Sequence, residues 1–230
     1  MNLDFLDKKD FGKYKPEPIE TNLDLLKTVV IKIGEKFEKN FKIEKDSIQA
    51  KMYQNLLYYF TDDSRCDWKL DKGLFFSGKK GVGKSMSMKI MRELFLCGHN
   101  IPSLQRKKFF HFVGMEKLSV KEGKSLKYLE EFYLKTSNNL FCDEVMRESK
   151  GQYKEINNFG TIEQPFSVGI HQMYRNFCDK GMLYHFTTNY WHVDEYPNGD
   201  LFAKTYGNEI HDRLIEMCNI IEIKGESFRA

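Results

Sequence analysis

One stretch, GLFFSGKKGVGKSMSMKIM at positions 73–91, constrains this chain more than any other. A run of apolar or small residues at 74–77 meets the glycines Gly78, Gly81 and Gly83, then a Lys84-Ser85 pair. Beyond it, Ser87, Ile90, Met91, Leu94 and Phe95 fall on one helical face that Gly98 ends. The spelling Gly78-Lys79-Lys80-Gly81-Val82-Gly83-Lys84-Ser85 fits GxxxxGK[ST] and sits between a strand and a helix, where the mechanism needs it. Glycines let the backbone curl so that successive N–H groups face phosphate oxygens, and the helix N-terminus behind them adds its dipole. In such a loop Lys84 reaches the β and γ phosphates and Ser85 ligates Mg²⁺, and the phosphate-contacting run extends to Met86. The expected cofactors are ATP and Mg²⁺. A bare GKS is not sufficient: Gly123-Lys124-Ser125 repeats it, but Leu118 stands where the leading glycine belongs and no apolar strand runs into it.

The remaining pattern alternates strand and helix. Strands are predicted at 74–77, 108–113, 139–142, 182–186 and 220–223, and later helices at 125–135, 167–178 and 208–217. Strands joined by helices of this length imply a five-stranded parallel sheet covered on both faces, an α/β core over 67–230. Ahead of it, residues 21–66 read as a small helical region. Leu23, Leu26, Val30, Ile33 and Phe37 share one face, and Ser47 caps a second helix carrying Ile48, Met52, Leu56 and Tyr59. Residues 1–20, with Pro16 and Pro18 and no periodicity, read as an extended arm.

A phosphate loop binds a nucleotide; hydrolysis also needs a carboxylate for the metal and a group that orients water. In 139–144, NLFCDE, an apolar strand ends in two acids at the edge of the sheet where ligands bind in open α/β folds. Asp143 would hold Mg²⁺ through water and Glu144 would polarise the attacking water. The alternative is a strand that ends in solvated acids. The segment 183–189, LYHFTTN, ends a further strand at Asn189, placed to position that water, unless Asn189 is simply a turn former.

Taken together these segments resemble the AAA+ P-loop ATPases, and among them the DnaC/IstB-type group of helicase loaders and transposition helpers. The likeness spans 69–229 and rests on KGLFFSGKKGVGKS as Walker A, LFCDE as Walker B, HFTTNY as sensor 1, and YGNEIHDRLIEM followed by IKGESFR. It implies an ATPase in which Glu144, Asn189 and Arg213 are catalytic, with Arg213 an arginine finger completing a neighbouring subunit's site, so that activity requires a nucleotide-dependent homo-oligomer. The competing reading of Arg213 is a helix arginine paired with Glu216 or Asp212. Arg229 matches an arginine near the end of the group's members, without a role. The resemblance implies a replicative helicase or a transposase as partner, single-stranded DNA as a ligand, and a phage or mobile element as a setting. It also implies a core without a C-terminal helical lid.

Composition narrows the field. A net charge of +3 permits an anionic partner but is low for a protein that coats duplex DNA. No apolar run approaches a membrane span and the N-terminus lacks a secretory pattern, so a soluble, cytoplasmic protein is expected. Five scattered cysteines without CxxC point to free, buried thiols. Two segments stay open: Arg106-Lys107-Lys108-Phe109-Phe110-His111 reads as a single-strand track or as a basic turn into a buried strand, and Trp191, between Tyr190 and His192, as a stacking platform or a packing anchor. The helices of 21–66 would dock a partner or cover the core.

Overall fold

The computed structural model describes residues 23–97, 104–114, 139–146, 156–158, 161–163, 165–191 and 200–225. The arm at 1–20, the helix expected at 125–135, the second GKS and Arg229 lie outside them. The chain divides into two units, Met1–Trp68 with Met86–Phe109, and Lys69–Ser85 with Phe110–Ala230.

The first unit holds α1 (Leu23–Phe37), α2 (Ile48–Phe60), most of α3 (Lys84–Cys97) and a 3₁₀ turn, Arg106–Lys108. In α1, Leu26, Val29, Val30, Ile33 and Gly34 are buried, while Phe37 is exposed. The buried stripe ends at Gly34 because the chain folds back there: the Phe41 ring lies over Gly34, so close that a Cβ would sit 2.1 Å from it. The same ring meets Tyr53 of α2 edge-on at 5.9 Å, linking the two helices. Ser47 caps α2 as expected, its Oγ accepting from the Ala50 N–H at 3.1 Å. Ile48 is exposed at this first turn, and Met52, Tyr53, Leu56, Leu57, Tyr59 and Phe60 form the buried face. Burying side chains of this kind contributes roughly 1.5–3 kcal/mol each.

The turn Arg106–Lys108 is built around a buried ion pair. Lys108 is 1% exposed; its ammonium donates to the Tyr59 carbonyl at 2.6 Å and to Asp62 Oδ1 at 2.5 Å, and lies 3.9 Å from the centre of the Tyr59 ring. Lys107 takes the other Asp62 oxygen at 2.9 Å. Burial pulls the Lys108 ammonium below its ordinary pKa. It pushes the Asp62 carboxyl up, but hydrogen bonds from the two lysines outweigh it and hold Asp62 low. These two lysines serve a structural corner, the second of the two readings offered by the sequence.

The second unit is built on β1 (Gly73–Ser77), β2 (Phe110–Gly114), β3 (Asn139–Val145), β6 (Tyr184–Thr188) and β7 (Cys218–Glu222), all parallel, in the order β2-β3-β6-β1-β7. This is the five-stranded parallel sheet expected. One face is covered by α4 (Pro165–Lys180), α5 (Asp200–Tyr206) and α6 (Asn208–Met217), through Phe166, Ile170, Phe202, Ile210 and Leu214 packed on Phe75, Leu140 and Phe186. Trp191 is 6% exposed in this core, 5.0 Å from the Phe75 ring and stacked on His211 at 4.9 Å, and is therefore a packing anchor. Leu74, Phe76 and Phe141, which alternate with that face, are fully buried too, as a sheet covered on both sides requires.

Three local features depart from expectation. The second strand starts at Phe110 rather than 108 because the 3₁₀ turn takes up the two lysines. The last strand starts at Cys218, directly from the end of α6, and leaves Ile220 exposed. The short antiparallel pair β4 (Ile156–Asn158) and β5 (Thr161–Glu163), with helix α5, carries too little periodicity to be read from sequence. All five cysteines are free; Cys142 and Cys218 are buried, whereas Cys178 is exposed.

Candidate nucleotide-binding site

The strand order makes the site. From β1 the chain crosses to β2 at one edge and returns through β3 to β6 beside β1, then passes to β7 on the other side of β1. The crevice at the carboxyl ends of β1, β6 and β3 lies where these connections diverge, the place where open α/β sheets bind ligands.

The loop after β1 has the backbone that its glycines allow. Gly78, Gly81 and Gly83 have φ of 139°, 92° and 93°, values open to glycine and costly for other residues. At Gly78 even a methyl group is excluded, since a Cβ would lie 2.4 Å from the Ile223 carbonyl oxygen. Val82 is buried beneath the loop and Lys79 and Lys80 are exposed. Lys84 is 6% exposed, and its ammonium donates to the carbonyls of Gly78 and Lys79 at 2.6 and 2.8 Å and to Asn189 Oδ1 at 2.8 Å. The loop lysine thus meets the asparagine that follows β6. Met86, one residue past Ser85 in α3, is half-buried.

On the other side, Ser85 Oγ donates to Asp143 Oδ1 at 2.5 Å. The same carboxylate oxygen accepts from Thr187 Oγ1 at 2.6 Å, and Thr187 Oγ1 accepts from the Glu144 N–H at 2.8 Å. Strand β3 is irregular here: Cys142 pairs with Phe186 and Val145 with Thr188, so Asp143 and Glu144 together face Thr187 alone. This is a one-residue β-bulge, and Glu144 within it has a left-handed φ of 59°. Past the bulge, Thr188 Oγ1 donates to the Val145 carbonyl at 3.0 Å. Thr187 and Thr188 were not singled out in the sequence; two hydroxyls just before Asn189, on the strand beside the acids, were the available signal.

Five of the sequence-derived residues therefore gather at one sheet edge: Lys84, Ser85, Asp143, Glu144 and Asn189. Arg213 does not join them. On α6, its guanidinium donates to His171 Nδ1 of α4 and to Glu209, and lies 5.0 Å from the Tyr174 ring. Its carboxylate partner is Glu209, one helical turn back, rather than Glu216 or Asp212; Glu216 accepts instead from the Tyr174 hydroxyl at 2.7 Å. Burial, then the Arg213 charge, holds the His171 imidazole below its ordinary pKa, which suits a ring nitrogen that accepts from a guanidinium.

The donor set fits a nucleotide with a hard cation. Glycines with positive φ open the loop backbone to phosphate oxygens, a buried lysine faces into it, and a hydroxyl and a carboxylate stand side by side as oxygen ligands. Among the described residues no group of three or more His, Cys, Asp or Glu forms a metal site.

The strand order, the glycine loop after β1 and the acids on β3 define a P-loop type of α/β fold. Solved structures agree. The chain is similar to the crystal structure of the DnaC helicase loader (19% identity, 79% of this chain and 94% of that one, TM-score 0.51). It is also similar to the crystal structure of DnaI (16% identity, 93% and 96% covered, TM-score 0.51). A third likeness is to a putative primosome component from Streptococcus pyogenes serotype M3 (14% identity, 81% and 86% covered, TM-score 0.50). At such identities the likeness is one of fold. No family model matches the chain, and no curated protein matches its sequence.

Proposed function

We propose that this protein is an ATP-binding and ATP-hydrolysing AAA+ accessory of DNA replication, a helicase loader that acts on a replicative helicase and single-stranded DNA. The observation that carries the reading is the double link across the crevice, Ser85 to Asp143 and Lys84 to Asn189, which joins the phosphate loop to both strands expected to carry out hydrolysis. Support for a helicase as partner comes from the likeness in fold to the DnaC helicase loader and to the primosome component.

In this reading the loop from Gly78 to Met86 wraps the phosphate chain with its backbone N–H groups, and Lys84 neutralises the β and γ phosphates. Ser85 and Asp143 hold Mg²⁺, which when bound offsets phosphate charge. Glu144 accepts a proton from the attacking water, and Asn189, already within reach of Lys84, orients that water. Arg213 serves a neighbouring protomer's γ-phosphate, so hydrolysis depends on assembly into a homo-oligomer.

The test is a pull-down from native host lysate with tagged Glu144→Gln protein loaded with ATP, identified by mass spectrometry. Recovery of a hexameric replicative helicase supports the loader; recovery of a transposase moves the assignment to transposition. Absence of ATP hydrolysis by the unsubstituted protein at every protein, DNA and helicase concentration overturns the enzymatic part.

A further inference from the structure

The bulge in β3 needs something to hold it. Glu144 is a non-glycine residue in left-handed backbone conformation, which persists where its surroundings over-determine it. Opposite the two bulge residues stands a single side chain, Thr187, fully buried, and its hydroxyl touches both. Its one proton goes to Asp143 Oδ1 at 2.6 Å and its oxygen receives the Glu144 N–H at 2.8 Å. Because a hydroxyl has one proton, these two bonds orient each other: the N–H fixes the oxygen's lone pair and so directs the O–H at the carboxylate. Asp143 Oδ1 thereby receives two hydroxyls, from Ser85 and from Thr187. The next residue, Thr188, returns β3 to register through the Val145 carbonyl.

We propose that Thr187 is the positioning residue of the acid pair: its hydroxyl fixes the β3 bulge, sets the Asp143 oxygen beside Ser85 for the cation, and aims Glu144 at the water. This rests on the reading of Asp143 and Glu144 given above. Thr187 touches neither phosphate nor water in this scheme; it acts through the two acids.

The test compares the unsubstituted protein with Thr187→Val, Thr187→Ser and Glu144→Gln, with thermal melting of each to establish folding. Two quantities are measured: the Mg²⁺ concentration at half-maximal binding of a fluorescent ATP analogue, and kcat and KM for ATP. Thr187→Val keeps the shape and removes the hydroxyl, and is expected to raise the Mg²⁺ midpoint and lower kcat by about 10- to 100-fold each. KM for ATP measured at saturating Mg²⁺ stays within about twofold, and Thr187→Ser returns the Mg²⁺ midpoint and kcat to within about threefold of the unsubstituted protein. An unchanged Mg²⁺ midpoint and kcat in Thr187→Val, beside a Glu144→Gln protein that has lost turnover, overturns the role of Thr187 and leaves the acids in theirs. Equal impairment of the Val and Ser variants also overturns it, assigning the effect to packing of the methyl group. Full turnover by Glu144→Gln defeats the reading of Glu144 itself, and the proposal falls with it. Should Thr187→Val not fold, Thr187→Ala takes its place under the same criteria.

Discussion

Glu144 combines a carboxylate at the sheet edge with a backbone φ of 59°, and the carboxylate can be probed by exchanging one atom. Glu144→Gln preserves size and shape but removes the proposed base, so turnover is expected to fall by about 10² to 10⁴ while ATP binding persists; hydrolysis and nucleotide-binding assays on one preparation check this. Lys84→Ala is expected to fail earlier, by losing nucleotide affinity, because in the proposed reading the ammonium directed into the loop meets the phosphates. At this scale the sequence was most legible where chemistry restricts residue type. Gly78 is an example: its φ of 139° and the 2.4 Å approach of the Ile223 carbonyl admit nothing larger. Thr187 was illegible for the converse reason. Threonine is a common strand residue, and only the bulge opposite it gives its hydroxyl a task.

Strands and turns carry a different kind of prediction. Gly73 opens β1 against β6, where a Cβ would lie 1.8 Å from the Tyr184 carbonyl oxygen. Backbone cannot rotate away as a side chain can, so Gly73→Ala is expected to cost about 2 kcal/mol or more, seen as a lower denaturation midpoint. At the corner after α2, Asp62 is held below the usual carboxylate range by Lys108 and Lys107 against the opposing effect of burial. A carboxyl whose folded pKa is lowered adds stability above its unfolded pKa of about 3.9 and loses it as pH falls through the folded value. Asp62→Asn should therefore be less stable than the unsubstituted protein at neutral pH, with the gap closing below about pH 4; thermal melts from pH 3 to 7 measure it. The sequence exposed the cations of this corner but not their partner, because Asp62 lies more than forty residues before Lys108 and no local pattern joins them.

For the whole molecule, the question is whether one chain suffices. Arg213 is held by His171, Glu209 and the Tyr174 ring on the α4–α6 side, away from the contacts made by Lys84 and Asn189. If it completes a neighbour's site, specific activity should rise with protein concentration. A mixture of inactive Lys84→Ala and inactive Arg213→Ala chains should then regain activity, since some interfaces would pair an intact loop with an intact finger. A mixture as inactive as its components would place Arg213 in a structural role with Glu209.

The sequence by itself determined the parallel sheet, because strand and helix periods alternate along it. It also determined the phosphate loop and the acid-ended strand, because glycine freedom and buried apolar runs are local properties. Among the described residues no helix is long and apolar enough to cross a membrane. What only the tertiary structure decided was pairing. It put Lys84 on Asn189, Ser85 and Thr187 on one Asp143 oxygen, Lys108 on Asp62, and Arg213 on Glu209 and His171. Most of these contacts join residues more than forty positions apart. A parallel sheet brings distant strands side by side in an order that local periodicity does not encode, and the hydrogen bonds between their ends follow from that order.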